Sequence, residues 1–211
     1  MSAADWLCVQ GEVGDARPVG GWIEGLRAVK DAVEIEALAL ACRITAEAME
    51  LLAASMRIGD SEVELARRLE GLFAHLGAAD RSFETIVAAG PHSAIPHHQP
   101  GRRVLERGDL VVVDAGALVD GYHADMTRTF VVGDPAPWQV EVHAAVLGAQ
   151  QAATAAYLPG AAARDIDAAA RAVLTEAGRA DRFTHGLGHG VGLEIHEAPM
   201  VGPRSTGSIG A

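Results

Sequence analysis

The chain has 211 residues, of which 49% are apolar and 21% are charged, and this balance is typical of a folded globular domain rather than a disordered or fibrous chain. The 28 acidic and 17 basic residues give a formal net charge of −11, which argues against nucleic acid and anionic membrane surfaces as partners. No apolar run is long enough to span a membrane and the start lacks the features of a secretory signal, so we expect a cytoplasmic protein.

The first part of the chain predicts two helices. Residues 1–25 show no clear hydrophobic period and are interpreted as a linker or the remnant of an N-terminal domain. From Lys30 onward, apolar residues recur every three or four positions, which predicts a long amphipathic helix ending near Arg57–Gly59. Ser61 opens a capping box with the glutamate three residues later, and the second helix that it starts is expected to end at Gly77.

The middle of the chain predicts strands. Phe83–Gly90 is rich in residues that favour a strand, and the loop Pro91–Pro100 that follows contains an unusual group of histidines. In Leu110–Val132, an Asp-Gly pair at positions 120–121 separates two β-rich runs. Such a pair is the strongest short sequence signal for a β-hairpin.

A two-residue turn at that pair fixes the register of the hairpin. Asp114 then faces Thr127 and Gly116 faces Asp125, so the two aspartates are diagonal neighbours, about 7–8 Å apart, on one face. We expect this face to carry valines of the first strand as well. Buried like charges repel, so the pair needs a cation or a raised pKa. Solvated aspartates at the sheet rim, or a pair with Arg128, are equally compatible with the spacing.

The last part of the chain predicts two further helices and then an extended segment. The helices are expected over Pro137–Ala156 and Ala163–Ala177, and Gly178 is suited to cap the second. The order of helices, hairpin, helices and strand predicts an α+β fold in which helices cover an antiparallel sheet.

The segment 185–196 has glycine at four alternate positions, and each glycine would cost about 1 kcal/mol in a helix, so we predict a strand or extended loop. His185 and His189 would lie on one face of it. His196 could reach the same site only across a bend or bulge, for which Gly190 and Gly192 are suited. A lone histidine is more often structural than functional, but several histidines beside two aspartates favour a metal site. Because the chain has only 2 cysteines, nitrogen and oxygen ligands are expected.

Four motifs, taken in order, resemble the pita-bread metallopeptidases, and prolidases and Xaa-Pro aminopeptidases in particular. They are Ser93-Ala-Ile-Pro-His-His, Val113-Asp-Ala-Gly-Ala, Ala124-Asp-Met-Thr-Arg-Thr-Phe and His185-Gly-Leu-Gly-His-Gly-Val-Gly-Leu-Glu-Ile-His-Glu. The resemblance implies a pita-bread catalytic domain over residues 26–211. It also implies hydrolysis of the peptide bond before proline, in short peptides with proline at the second position, and a homodimer.

The same resemblance implies two divalent ions, namely manganese, cobalt or zinc, that supply a bridging hydroxide. It makes Asp114, Asp125 and His189 metal ligands. It further makes His97 and His196 catalytic residues that steady the oxyanion or pass protons. The residues expected to contact the substrate are His97, His185 and His196.

The sequence departs from the family pattern at its end. In relatives, a stretch like Gly202–Gly210 precedes a strand ending in Glu-Pro-Gly and a later strand with a second glutamate, and both glutamates are metal ligands. This chain ends at Ala211, before both, and Glu194 and Glu197 match neither position. We therefore expect a domain that lacks its last strands, with reduced or absent metal occupancy.

Two alternatives follow from this departure. One is a non-catalytic pita-bread module that binds a peptide or protein without turnover. The other is a metal-free relative of the creatine amidinohydrolases, which share the fold. The retained aspartates and histidine argue against this second alternative, because a metal-free site has no reason to gather them.

Overall fold

The computed structural model describes residues 20–210. Most of the predicted linker, residues 1–25, lies outside this range. Its described end is helical, since helix α1 spans Trp22–Ala28. The predicted boundary between linker and catalytic domain therefore falls inside a helix, and the boundary stays a prediction.

Two long helices follow α1. Helix α2 spans Ala32–Ser55 and α3 spans Glu62–His75, and each begins with a capping box, at Asp31 and at Ser61. Gly77 follows α3 with a φ of 97°, a conformation that glycine adopts without strain. Both predicted helices, and the predicted stop at Gly77, are confirmed.

Within the described residues, eight strands form three antiparallel sheets. They are β1 (Asp80–Arg81), β2 (Ile86–Ala89), β3 (Leu110–Ala115), β4 (Ala117–Val119), β5 (Tyr122–His123), β6 (Met126–Val131), β7 (Gly188–Gly190) and β8 (Glu197–Val201). The first sheet has the strand order β2-β3-β6, the second has the order β1-β4-β5, and β7 pairs with β8. The first sheet carries one of the two predicted aspartates, and the β7–β8 pair carries the glycine-rich histidine segment.

The predicted hairpin register is confirmed, because Asp114 faces Thr127. The hairpin is nevertheless not one continuous ladder. Gly116 separates β3 from β4, and a Cβ atom at this position would lie 1.7 Å from the carbonyl oxygen of Ala124. The strand pairing is interrupted at Gly116, but the same register resumes beyond it, because Leu118 faces His123 and the backbone N–H of Ala124 donates to the carbonyl of Ala117 at 3.0 Å. The predicted register is therefore kept on both sides of Gly116 and Asp125, and Asp125 lies in the short connection between β5 and β6.

The main core lies between α2, α3 and the first two sheets. On β3, Val111 and Val113 belong to this core, whereas Asp114 is half-buried and alternates to the other face of the strand. Of the valines expected beside the aspartates, Val112 shares the face of Asp114, whereas Val111 and Val113 do not. The hydroxyl of Thr45 ties α2 to the second sheet by accepting a 2.9 Å hydrogen bond from the backbone N–H of Ala117.

The last two helices form a second, smaller core. Helix α4 spans Pro137–Ala156 and α5 spans Ala163–Glu176, which confirms both predictions, and Gly178 follows with a φ of 67°. Val201, at the end of β8, packs against buried residues of the two helices. These are Ala149, Ala153, Ala163, Ile166, Ala170 and Leu174. Within residues 20–210, no helix is both long and apolar enough to cross a membrane.

Candidate functional site

The two predicted aspartates lie side by side at the open face of the first sheet. Asp114 accepts a 2.9 Å hydrogen bond from the hydroxyl of Thr127, its partner across the ladder. Burial raises the pKa of Asp125, and the charge of Asp114 raises it further, while His189 and His196 oppose the shift. Asp125 is therefore held close to a like charge that its surroundings do not fully balance.

His189 reaches this pair from a different sheet. Its Nε2 atom lies 3.4 Å from Oδ2 of Asp125, and the side chains expose 22% and 28% of their surface. The β7–β8 register shifts between His189 and Gly190, as the predicted bulge requires. His196 lies on the other side of this shift, and its ring centroid is 4.3 Å from that of His189 in an edge-to-face arrangement. The predicted bend that brings both histidines together is confirmed.

Close packing explains two of the glycines in this segment. A Cβ atom on Gly190 would lie 2.5 Å from the carbonyl oxygen of Ala198. A Cβ atom on Gly192 would lie 2.4 Å from a carboxylate oxygen of Glu197. Gly190 therefore needs to be glycine because the backbone of β8 fills the space beside it, whereas a side chain at Gly192 would require the carboxylate of Glu197 to move.

Glu197 is buried, with 5% of its side chain exposed, and both of its oxygens contact cations of the chain. Arg27 donates from Nε at 3.1 Å, and from Nη2, to Oε1, while Nζ of Lys30 lies 3.0 Å from Oε2. Burial would raise the pKa of Glu197, but these two cations outweigh it and hold the pKa below its ordinary value. Glu197 therefore faces the start of the described chain, in agreement with its mismatch to the family's ligand glutamates.

Two other predicted histidines are exposed. His97 is exposed in the loop after β2, with a left-handed backbone φ of 54°. His185 is exposed as well, and its ring packs edge-on against Phe183 with centroids 4.7 Å apart. His185 also lines a cleft of about 1520 Å³, which neither aspartate lines. Within residues 20–210, no hydrogen bond or ion pair joins either histidine to the aspartates, and their predicted roles stay predictions.

A second group of carboxylate and imidazole lies at the first turn of α3. Glu62 is fully buried, and its two oxygens lie 2.8 Å from Nδ1 of His92 and 2.9 Å from Nε2 of His98. Each of the three residues offers one ligand atom, and these atoms all lie within 4.8 Å of one another. Among the described residues, no other group of three histidine, cysteine or acidic side chains is this close. The sequence drew attention to the histidine-rich loop, but Glu62 was missed because a glutamate in a helix's first turn is ordinarily solvated.

The sequence profile of metallopeptidase family M24 matches residues 36–210. The chain belongs to this family. The Xaa-Pro dipeptidase of Pyrococcus furiosus is 44% identical over 179 residues, which are 85% of this chain and 51% of that relative. The M24 chain thus spans about half the length of the curated relatives that it matches.

Solved structures of related enzymes share the fold. The Xaa-Pro dipeptidase from Bacillus anthracis gives a TM-score of 0.93 at 38% identity, and the match covers 99% of this chain and 59% of that one. The X-Pro aminopeptidase from Thermotoga maritima gives a TM-score of 0.92 at 35% identity, with 100% and 60% coverage. The predicted family and the α+β pita-bread fold are therefore confirmed.

The chemistry of the donor set fits a divalent cation at the sheet site. Two carboxylates and an imidazole, contributed by three separate segments, meet at Asp125. The raised pKa of Asp125 reflects burial and a neighbouring negative charge, and a bound cation would relieve both. Oxygen and nitrogen ligands of this kind suit manganese, cobalt and zinc. The Glu62 group also has the residue types of a metal site, but hydrogen bonds already satisfy its carboxylate.

Proposed function

We propose that this M24 chain is the site-bearing part of a metal-dependent peptidase of the Xaa-Pro dipeptidase or aminopeptidase type. Its substrates would be short peptides with proline at the second position, cleaved at the bond before proline. The convergence of Asp114 and His189 on Asp125 carries the proposal, because these three residues belong to three motifs and the one with His189 is distant in sequence from the other two. The relatives named above, which are Xaa-Pro dipeptidases and an X-Pro aminopeptidase, support the substrate class.

In this proposal, Asp114, Asp125 and His189 hold two divalent ions, with manganese, cobalt and zinc as the candidates. Divalent ions bound there would supply a nucleophilic hydroxide near neutral pH and polarise the scissile carbonyl. The chain itself contributes orientation. Thr127 fixes Asp114 through the hydrogen bond to Oδ1, and the β7–β8 bulge fixes the direction in which His189 points.

The histidines around the ligands would handle protons and substrate. The packing of His196 against His189 supports a role in which His196 donates a hydrogen bond to the developing oxyanion or passes a proton to the leaving amine. His97 is proposed as the second residue with this role and as a substrate contact from the loop after β2. His185 is proposed as a further contact to the peptide. A homodimer remains an expectation of the family resemblance.

Metal content tests the ligand set directly. The purified chain, dialysed against manganese, cobalt or zinc, should bind metal, in an amount measured by mass spectrometry. A content close to two ions per polypeptide would overturn the reduced occupancy that the sequence predicts. Asp114→Asn should lose most of this metal, since the amide cannot replace the charge of a carboxylate ligand. Asp120→Asn, in the exposed hairpin turn, is the matched control and should retain it. Equal metal content in both variants would exclude Asp114 as a ligand.

Turnover separates the enzyme from the non-catalytic alternative. A manganese-loaded chain that hydrolyses an Xaa-Pro dipeptide, and loses this activity in Asp114→Asn, supports the peptidase. A chain that binds the dipeptide in calorimetry equally well with and without metal, and never hydrolyses it, is a binding module instead. The two outcomes are distinguishable in the same preparation.

A further inference from the structure

We infer that Glu62 is a positioning residue that clamps both ends of the loop between β2 and residue 101, and thereby sets the placement of His97. The inference rests on the proposed function in so far as His97 contacts the substrate. The clamp itself is a statement about hydrogen bonds and is testable without turnover.

The carboxylate of Glu62 receives four hydrogen bonds from this loop. Oε1 accepts from the backbone N–H of Ala89 at 2.9 Å and lies 2.8 Å from Nδ1 of His92. Oε2 accepts from the backbone N–H of Gly101 at 3.0 Å and lies 2.9 Å from Nε2 of His98. One oxygen thus contacts the start of the loop and the other contacts its end.

Burial makes these hydrogen bonds energetically important. The Glu62 side chain is fully buried, and a buried carboxylate without partners is strongly disfavoured. Burial alone would raise the pKa of Glu62, but the bonds from Ala89, His98, Gly101 and His92 outweigh it and hold the pKa below its ordinary value. The loop therefore closes around an ionised carboxylate, and opening the loop would leave that charge unpaired.

Other hydrogen bonds hold the same two ends of the loop. The backbone N–H of Glu62 donates to the carbonyl of Arg103, and that of Val63 donates to Gly101, each at 3.0 Å. The guanidinium of Arg103 donates to the carbonyl of Ala89 at 3.0 Å. The loop is thus tied to α3 and to its own base by backbone, carboxylate and guanidinium together.

His97 lies between the two fastened ends and next to His98. The ring centroids of His92 and His98 are 4.3 Å apart, so the two histidines bound to Glu62 also pack on each other. His97 has a left-handed backbone, which is uncommon for residues other than glycine and persists where surrounding structure imposes it. His98, the next residue in the chain, is held by its hydrogen bond to Glu62, and this bond constrains the backbone beside His97. Glu62 therefore acts on His97 through His98.

Amide hydrogen exchange tests the clamp with Glu62→Gln, which keeps the size of the side chain and removes its charge. We expect amides of residues 89–101 to exchange about tenfold faster or more, while those of α4 and α5 stay unchanged. Glu50→Gln is the control, because it makes the same chemical change at an exposed position of α2. Unchanged exchange in the loop of the folded Glu62→Gln variant would overturn the inference.

Two further measurements keep the test decisive. If Glu62→Gln does not fold, His98→Ala removes one donor from the edge of the cluster and should speed exchange at residues 96–101 alone; no change there overturns the clamp. Wild-type exchange should also be the same with and without a chelator. Faster loop exchange after chelation would overturn the inference in another way, because a metal rather than hydrogen bonds would then join Glu62 to the histidines.

Kinetics connects the clamp to His97. In manganese-loaded enzyme, Glu62→Gln should lower kcat/KM for an Xaa-Pro dipeptide about tenfold, with wild-type metal content, and should have little further effect in a His97→Asn background. Additive losses would overturn the link to His97. If the wild type has no turnover, the peptidase proposal fails while the exchange experiment still decides the clamp.

Discussion

Two places in the molecule bring carboxylates and imidazoles together, and they differ in how completely the carboxylates are satisfied. At the first turn of α3, Glu62 is fully buried and accepts four hydrogen bonds, and its pKa is lowered. At the open sheet face, Asp125 lies beside Asp114, with Nε2 of His189 3.4 Å from its Oδ2, and the pKa of Asp125 is raised. A satisfied carboxylate stabilises the fold, whereas a carboxylate held against a like charge is suited to bind a cation.

The largest effect on stability is expected at the satisfied carboxylate. Glu62→Ala removes the acceptor of two backbone N–H groups and two histidines and leaves these donors unpaired in a buried pocket. We expect the free energy of unfolding to fall by about 3–5 kcal/mol. Urea denaturation followed by circular dichroism measures it. A loss no larger than that of the exposed control Glu50→Ala would mean that water replaces the carboxylate without cost.

The ion pairs around Glu197 should give the next largest effect. Glu197→Gln leaves Arg27 and Lys30 without a full counter-charge in a mostly buried position, so we expect a loss of about 1–3 kcal/mol in urea denaturation. Glu194→Gln is the matched control, because Glu194 approaches the same Arg27 but exposes 67% of its side chain. Its effect should be within about 0.5 kcal/mol of zero. Equal losses in the two variants would show that burial does not matter here.

Acid should weaken the fold through the same two glutamates. The folded-state pKa values of Glu62 and Glu197 lie below their ordinary values, so each carboxylate contributes stability above about pH 4.3, and this contribution is lost as the pH falls through the folded-state values. The free energy of unfolding, measured from pH 7 to pH 3, should decline less steeply in Glu197→Gln than in the wild type. Parallel curves would assign the acid sensitivity to other carboxylates.

The two regions also differ in how far the sequence predicts them. The Asp-Gly turn predicts the register that pairs Asp114 with Thr127, because a two-residue turn leaves one arrangement of the strands. The alternation of glycine and histidine likewise predicts the bulge that brings His189 and His196 together. Rules of local backbone geometry were sufficient for the register and for the bulge. In each case the residues that carry the pattern lie within about a dozen positions of the feature that they predict.

The unpredicted features depend on contacts between distant segments. Arg27 and Glu197 are 170 residues apart, and residues 1–25 with their surroundings offered no pattern that predicts the pair. The burial of Glu62 follows from the loop that folds over α3, which no helical period reveals. Gly116 splits the hairpin because the backbone of Ala124 approaches it, and a strand pattern alone does not specify such an approach.

The smallest change in stability, and the sharpest contrast with Glu62, is expected for Asp125→Asn. Its raised folded-state pKa means that, in metal-free protein, Asp125 destabilises the fold increasingly as the pH rises through that pKa. Removing the charge should therefore leave the metal-free chain equally stable or more stable at pH 7, by roughly 0.5 kcal/mol or less. The same variant should lose bound metal, measured by mass spectrometry, and with it the stabilisation that added manganese gives the wild type in thermal unfolding. A variant that is less stable without metal, yet still stabilised by manganese, would reverse the assignment, because Asp125 would then behave as Glu62 does.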